Sequence, residues 1–193
     1  MNFLAHLYLS GNNHNIIVGN FMADAIKGKS YLNYDEEIQR GIILHREIDT
    51  FTDQHPIVRQ SKRRLNVRYN HFGGIIIDIF YDHFLAKNWS QFSNIPLELY
   101  TTEIYKVLQK DYSIYPTNVR RMLYFMVHEN WLLSYQNTDE IKKVLNRMSH
   151  RTKHKSYMEL ATEDLLLYYE DFENDFLIFF KEIMIHTQLI IKA

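Results

Sequence analysis

The sequence predicts an all-α fold, one compact multi-helix domain over residues 1–193, on three observations. Glycine and proline are scarce, six and three in 193 residues, too few breakers for a turn-rich β chain. Hydrophobic residues make up 46% and charged residues 23%, the balance of a globular chain with a sizeable core. No repeat, low-complexity tract or linker divides it.

The elements follow in order. Residues 3–9, "FLAHLYL", make one or two helical turns before the polar break "SGNNHN". A second short helix starts near Asn20 and runs through "FMADAIKG" to Gly28. A third covers about residues 35–53: Asn33 or Asp35 caps it, Glu36 and Glu37 suit the positive end of its dipole, and Pro56 limits its far end. "PIVRQSKRRLNVRY" reads as a basic amphipathic helix. After the Gly73-Gly74 break, "GGIIIDIFYDHFLAKNW" reads as a buried helix. The run Ile75 to Ile77 alone suits a strand equally well, and its continuation to Trp89 without a turn signal favours helix. Helices follow near 97–110, 117–135, 138–148 and 160–190, the last carrying the acidic, aromatic stretch "EDFENDFLIFF" on an amphipathic face.

A formal charge of −1 gives no bulk attraction to nucleic acid or to an acidic membrane, so neither is expected as a partner. The absence of cysteine excludes disulfides, thiolate metal sites and cysteine nucleophiles, and suits a reducing cytoplasm. "MNFLAHLYLSG" lacks the basic lead and small-residue cleavage site of a signal peptide. No stretch approaches the length of a membrane span. The protein reads as soluble and cytoplasmic.

The chemistry is concentrated in "HREIDTFTDQHP". On a helical wheel Ile38, Ile42, His45, Asp49 and Asp53 fall within roughly 80° of one another, so the titratable groups continue an apolar stripe. Asp78 and Asp82 likewise share a face with Ile75, Leu85 and Trp89. An ionised carboxylate left unpaired in such surroundings costs roughly several kcal/mol and normally protonates instead. A cation shared between helices resolves both patterns. Oxygen and imidazole ligands without sulfur favour Mn²⁺, Mg²⁺, Fe or Zn²⁺. His6, inside an apolar segment, and Asp24, between two alanines, are further ligand candidates.

Each residue alone admits a plainer reading. A lone histidine on a core face is usually just hydrogen-bonded, Asp53 can simply end its helix, and Asp24 can pair with Lys27 on the next turn. The joint pattern, HxxxDxxxD on one stripe and DxxxD on another, carries the metal reading. His83 points about 100° away from Asp82 and suits a flanking acid or base better than a ligand. Trp131 and Tyr135, at i and i+4, read as core.

With these residues assembled, the chain resembles the acyl carrier protein phosphodiesterase (acyl carrier protein hydrolyase) family over nearly its whole length. The pieces that carry the likeness are "MNFLAHLYLS", "GNFMADAIKG", "HREIDTFTDQHP", "DIFYDHFLAKNW" and, more weakly, "ENWLLSY". The resemblance implies a largely helical fold, loosely like the His-Asp (HD) metal phosphohydrolases, although this chain holds only the reversed pair Asp82-His83. It implies Mn²⁺-dependent hydrolysis of holo-acyl carrier protein to apo-acyl carrier protein and 4′-phosphopantetheine, a step in lipid metabolism. Under it, His6, Asp24, His45, Asp49, Asp78 and Asp82 form a metal shell, with Asp53 and His83 as outer groups for proton transfer.

A carrier protein is expected to be small and acidic, so a basic docking surface is expected. Arg59, Lys62, Arg63, Arg64 and Arg68 in "RQSKRRLNVR" are the first candidates, and residues 142–155, "KKVLNRMSHRTKHK", are a second basic stretch. A solvated face is the plainer reading of such runs. Two competing functions stay open: a metal phosphohydrolase acting on a nucleotide or other small phosphoester, and a non-catalytic helical module that binds carrier protein. The co-facial carboxylates argue against the second, because a binding surface gains nothing from buried acids.

Overall fold

The computed structural model describes residues 1–65 and 67–192. The chain is all-α, and no strand occurs among the described residues. Its α-helices are α1 (Phe3–Leu9), α2 (His14–Met22), α3 (Glu36–Gln54), α4 (Pro56–Arg64), α5 (Gly73–Lys87), α6 (Leu97–Lys110), α7 (Thr117–His128), α8 (Trp131–Ser134), α9 (Thr138–Ser149), α10 (Ala161–Leu167) and α11 (Tyr169–Lys192).

Helix α5 forms the middle of the core. Ile76, Ile77, Ile79, Phe80, Tyr81, Phe84 and Leu85 are fully buried, as a helix apolar on nearly every side requires. The isoleucine run is therefore helical. Its neighbours are α1, α4, α9 and α11. From α11 a stripe of Phe172, Phe176, Phe179 and Phe180 packs against it, with the Phe80 and Phe172 rings meeting edge to face at 5.3 Å. Among the described residues, no helix is long and apolar enough to cross a membrane.

Several boundaries differ from those the sequence predicts, each for a local reason. Helix α2 begins at His14, because the Asn13 side chain accepts from the N–H groups of Asn15 and Ile16 and caps it. The polar run thus starts a helix that the sequence predicts only from near Asn20. The helix expected over 117–135 breaks at Asn130, whose φ is +48°, and becomes α7 and α8. Helix α4 stops at Arg64 rather than running to Tyr69, and a kinked 3₁₀ stretch, Val67–Phe72, leads into α5. The C-terminal helix divides at Tyr168 into α10 and α11.

Helices α2 and α3 approach closely enough for their backbones to touch. A Cβ on Gly19 would lie 2.1 Å from the Ile38 carbonyl oxygen, and one on Gly41 would lie 2.3 Å from that of Ile16. Only glycine fits either position. This contact brings the side chains just beyond it, on α2 and α3, within reach of each other.

Candidate metal centre

Five side chains from four elements converge on one cavity of about 240 Å³. His6 comes from α1, Asn20 from α2, Asp24 from the 3₁₀ turn Ala23–Ala25, and His45 and Asp49 from α3. The i, i+4 spacing brings Asp49 Oδ2 to 3.2 Å from His45 Nε2, as one helical turn dictates. His6 Nε2 meets the other oxygen of Asp49, also at 3.2 Å. His45 Nε2 is in addition 3.2 Å from Asp24 Oδ1.

Asn20 organises the two imidazoles. Its Nδ2 donates to the backbone carbonyl of His6 at 3.2 Å, which turns the amide oxygen toward the rings. That oxygen lies 3.1 Å from Nδ1 of His6 and 2.9 Å from Nδ1 of His45. Both rings therefore donate Nδ1–H to a single acceptor, and both Nε2 atoms face the carboxylates. A metal-binding histidine is commonly held in this way by its remaining nitrogen.

The charges follow from this geometry. Burial, helped by the neighbouring His45, holds His6 down to about 4. Burial also opposes charge on His45, but its bonds to Asp24 and Asp49 outweigh that and lift it to about 9. Asp49 resists ionisation through burial, yet the two imidazoles hold it far below the usual carboxylate range. Asp24 is lowered chiefly by its bond from His45. His6 is thus neutral near pH 7, and its one ring proton is spent on Asn20. Its Nε2 lone pair then faces an oxygen of Asp49 with no proton between them.

A cation removes that conflict. Ligand atoms of His6, His45 and Asp49 lie within 4.8 Å of one another, and this nitrogen and oxygen set suits a borderline or hard divalent ion. The donor set fits a metal.

The other predicted site residues are distributed differently. Asp78 lines the same cavity, and its Oδ1 accepts from the Met1 amine at 2.9 Å. Asp82 is fully buried, with its oxygens turned to backbone amides: Oδ2 accepts from Leu4 N–H at 2.7 Å, and Oδ1 from those of Asn2 and Ala5 at 3.2 and 3.3 Å. It satisfies the open amides at the start of α1, the helix that carries His6. Burial pushes its carboxyl up to about 7, against the pull of those amides and the Met1 amine.

Asp53 also lies on the cavity wall, but 73% of its side chain is exposed and it pairs with Lys62 at 3.0 Å. It is a rim group rather than a buried one. His83 is committed elsewhere. Its Nδ1 donates to the Tyr135 carbonyl at 2.7 Å and its Nε2 accepts from the Tyr169 hydroxyl at 2.8 Å, and it does not line the cavity. Both of its ring nitrogens are hydrogen-bonded, at a distance from the cavity where a flanking acid or base is expected.

The basic run is less available than its composition implies. Lys62 is held by Asp53, Arg64 by Asp175 and, at 3.9 Å, Asp171, and Arg68 by Glu163 at 3.4 Å. Arg59 and Arg63 remain exposed on α4. Trp131 is only half-buried, while Tyr135 belongs to the core as expected.

Asn20 has little to mark it in the sequence. Its signal was a single amide in the apolar run "IIVGNFM", a group that must find partners once buried.

Residues 1–183 match the family described as acyl carrier protein phosphodiesterase. Relatives of that name include one from Pectobacterium atrosepticum, 30% identical over 95% of this chain and 96% of its own length. One from Klebsiella pneumoniae is 31% identical over the same shares. One from an Enterobacter species is 29% identical over 97% of this chain and 98% of its own. No solved structure matches the chain.

Proposed function

The chain belongs to the acyl carrier protein phosphodiesterase family, and on that premise we propose that it is a metal-dependent phosphodiester hydrolase. Its substrate on this reading is holo-acyl carrier protein, and its products are apo-acyl carrier protein and 4′-phosphopantetheine. The observation that carries the metal dependence is the pair of Nε2 atoms, from His6 and His45, turned together onto Asp49 by one amide oxygen.

His6, His45 and Asp49 would hold the ion, Mn²⁺ in our reading, with Mg²⁺, Fe and Zn²⁺ as alternatives of matching ligand chemistry. Asp24 adjoins through His45, and Asp78 contributes to the cavity wall. A bound divalent ion supplies a nucleophilic water at neutral pH and neutralises charge on the phosphoryl oxygens.

The chain's own groups do the rest. Asn20 keeps both imidazoles in the tautomer that frees Nε2. Asp53 lines the cavity and is exposed, so it is our candidate for exchanging a proton with solvent as water attacks the phosphorus and the serine oxygen leaves to take up a proton. Asp82 is a positioning residue that holds α1. Arg59 and Arg63 are the exposed cations we assign to docking an acidic carrier protein.

The test is the intact mass of holo-acyl carrier protein after incubation with this protein and Mn²⁺, beside a chelator control. Loss of the phosphopantetheine mass only with metal is expected. No loss from a folded, metal-loaded sample overturns the reading in favour of a small phosphoester substrate.

A further inference from the structure

Asn2 and Phe3 belong to two cavities at once. On one side they line the metal centre, and on the other they line a groove of about 230 Å³. Across that shared wall the chemistry changes. The groove is built from Met122 of α7, Trp131 of α8, Tyr135, and Val144 and Met148 of α9, with the exposed Arg147 and Arg151 completing its lining, and no carboxylate or imidazole among the described residues lines it. Met122, Trp131, Val144 and Met148 are partly buried and packed against the core. Trp131 Nε1–H donates to Glu129 at 3.0 Å, and Arg147 holds the same carboxylate at 2.5 Å. The indole is thereby pinned as a wall, whereas Met122 and Met148 are adaptable in shape.

A phosphodiester has one anionic centre and two substituents. A polar cavity and a largely apolar groove, whose Arg147 is neutralised by Glu129, meet at one wall and match the anionic centre and one neutral substituent. The protein substituent is far too large for the groove. The other, a slender chain of methyl, methylene and amide groups, suits it.

We propose that this groove is the subsite for the neutral pantetheine arm of the substrate, with Trp131 and Met148 as its specificity-determining contacts. The inference rests on the phosphodiesterase reading above and assigns the part of the site that reading leaves open.

The chain has two tryptophans, and Trp89 is buried away from the groove. Trp89→Phe therefore makes Trp131 emission a reporter. Titration with pantetheine, which lacks the phosphate, should change that emission saturably, and Val144→Phe or Met148→Asp should weaken the apparent Kd at least tenfold. If Trp89→Phe does not fold, calorimetry on the unaltered chain and on the two groove variants reads the same Kd.

No saturable binding, or equal affinity in the groove variants, overturns the proposal. So does a response to a medium-chain fatty acid without one to pantetheine, which would assign the groove to an acyl chain. Failure of the unaltered protein to cleave holo-acyl carrier protein overturns the underlying function instead. Cleavage with a flat pantetheine titration overturns only the subsite.

Discussion

The imidazole of His6 lies against that of His45, with ring centroids 4.0 Å apart and planes 21° from parallel. Two stacked rings cannot readily both carry charge, and the site divides the burden: His6 is neutral down to about 4, while His45 keeps its proton up to about 9. Metal binding at neutral pH must therefore displace a proton from His45. Calorimetric titration with Mn²⁺ in buffers of different ionisation enthalpy should show about one proton released per site between roughly pH 7 and 8. No release would mean that His45 Nε2 does not become a ligand.

Asn20→Ala removes the acceptor shared by both rings. Two Nδ1–H groups in a buried setting lose their partner, at about 1–3 kcal/mol each, and both tautomers are freed. Mn²⁺ affinity should fall on the order of 10- to 100-fold, the usual cost of losing a group that orients a ligand. An unchanged affinity would show that Asn20 serves only the fold.

Asp82 tests stability against ligation. Asp82→Asn keeps one oxygen for three amides, so the urea midpoint should drop by the equivalent of about 1–3 kcal/mol. Its metal affinity should change far less than that of His45→Ala. A variant with a normal midpoint and no metal binding would make Asp82 a ligand after all.

His83 should shape the acid side of the stability curve. Burial lowers its pKa in the folded chain below the ordinary 6.5, so the unfolded chain takes up the proton first. The stability it contributes is complete above about pH 6.5 and is lost as pH falls through the folded value. Thermal melts of His83→Gln should therefore decline less steeply with acid than those of the parent. His6 acts in the same direction, so part of the slope should remain. Parallel curves would remove His83 from the account.

Arg59→Glu combined with Arg63→Glu should raise KM for carrier protein about three- to tenfold at low salt, with the difference shrinking as salt is added. Kinetics across a salt series decide it: an unchanged KM or salt response rejects this face of α4. Arg64 is unsuited to the test, because reversing it would break its pairing with the buried Asp175 and report on folding.

Periodicity alone made the helices and the His45–Asp49 pair legible, and a histidine in an apolar segment marked His6. What it missed depends on contacts between helices. Each four-residue step advances roughly 40° around a helix, so by Asp53 the stripe has turned about 80° from His45 and reaches solvent. The wheel correctly buries Asp82, but the amides it meets belong to a helix some eighty positions away in the chain. Asn20 carries no pattern of its own. It matters because Gly19 and Gly41 let two backbones touch, and that distance is not written in the spacing of either helix.

That glycine contact also bears on how the site is held. Where Gly19 and Gly41 meet, no side chain separates the two backbones and no rotamer can turn, so α2 and α3 are tied directly at the point that sets Asn20 beside His45 and Asp49. His6 comes instead from α1, whose opening amides end on Asp82 and whose Phe3, with Asn2 before it, is shared by the metal centre and the groove. A change in that partition would be felt on both of its faces.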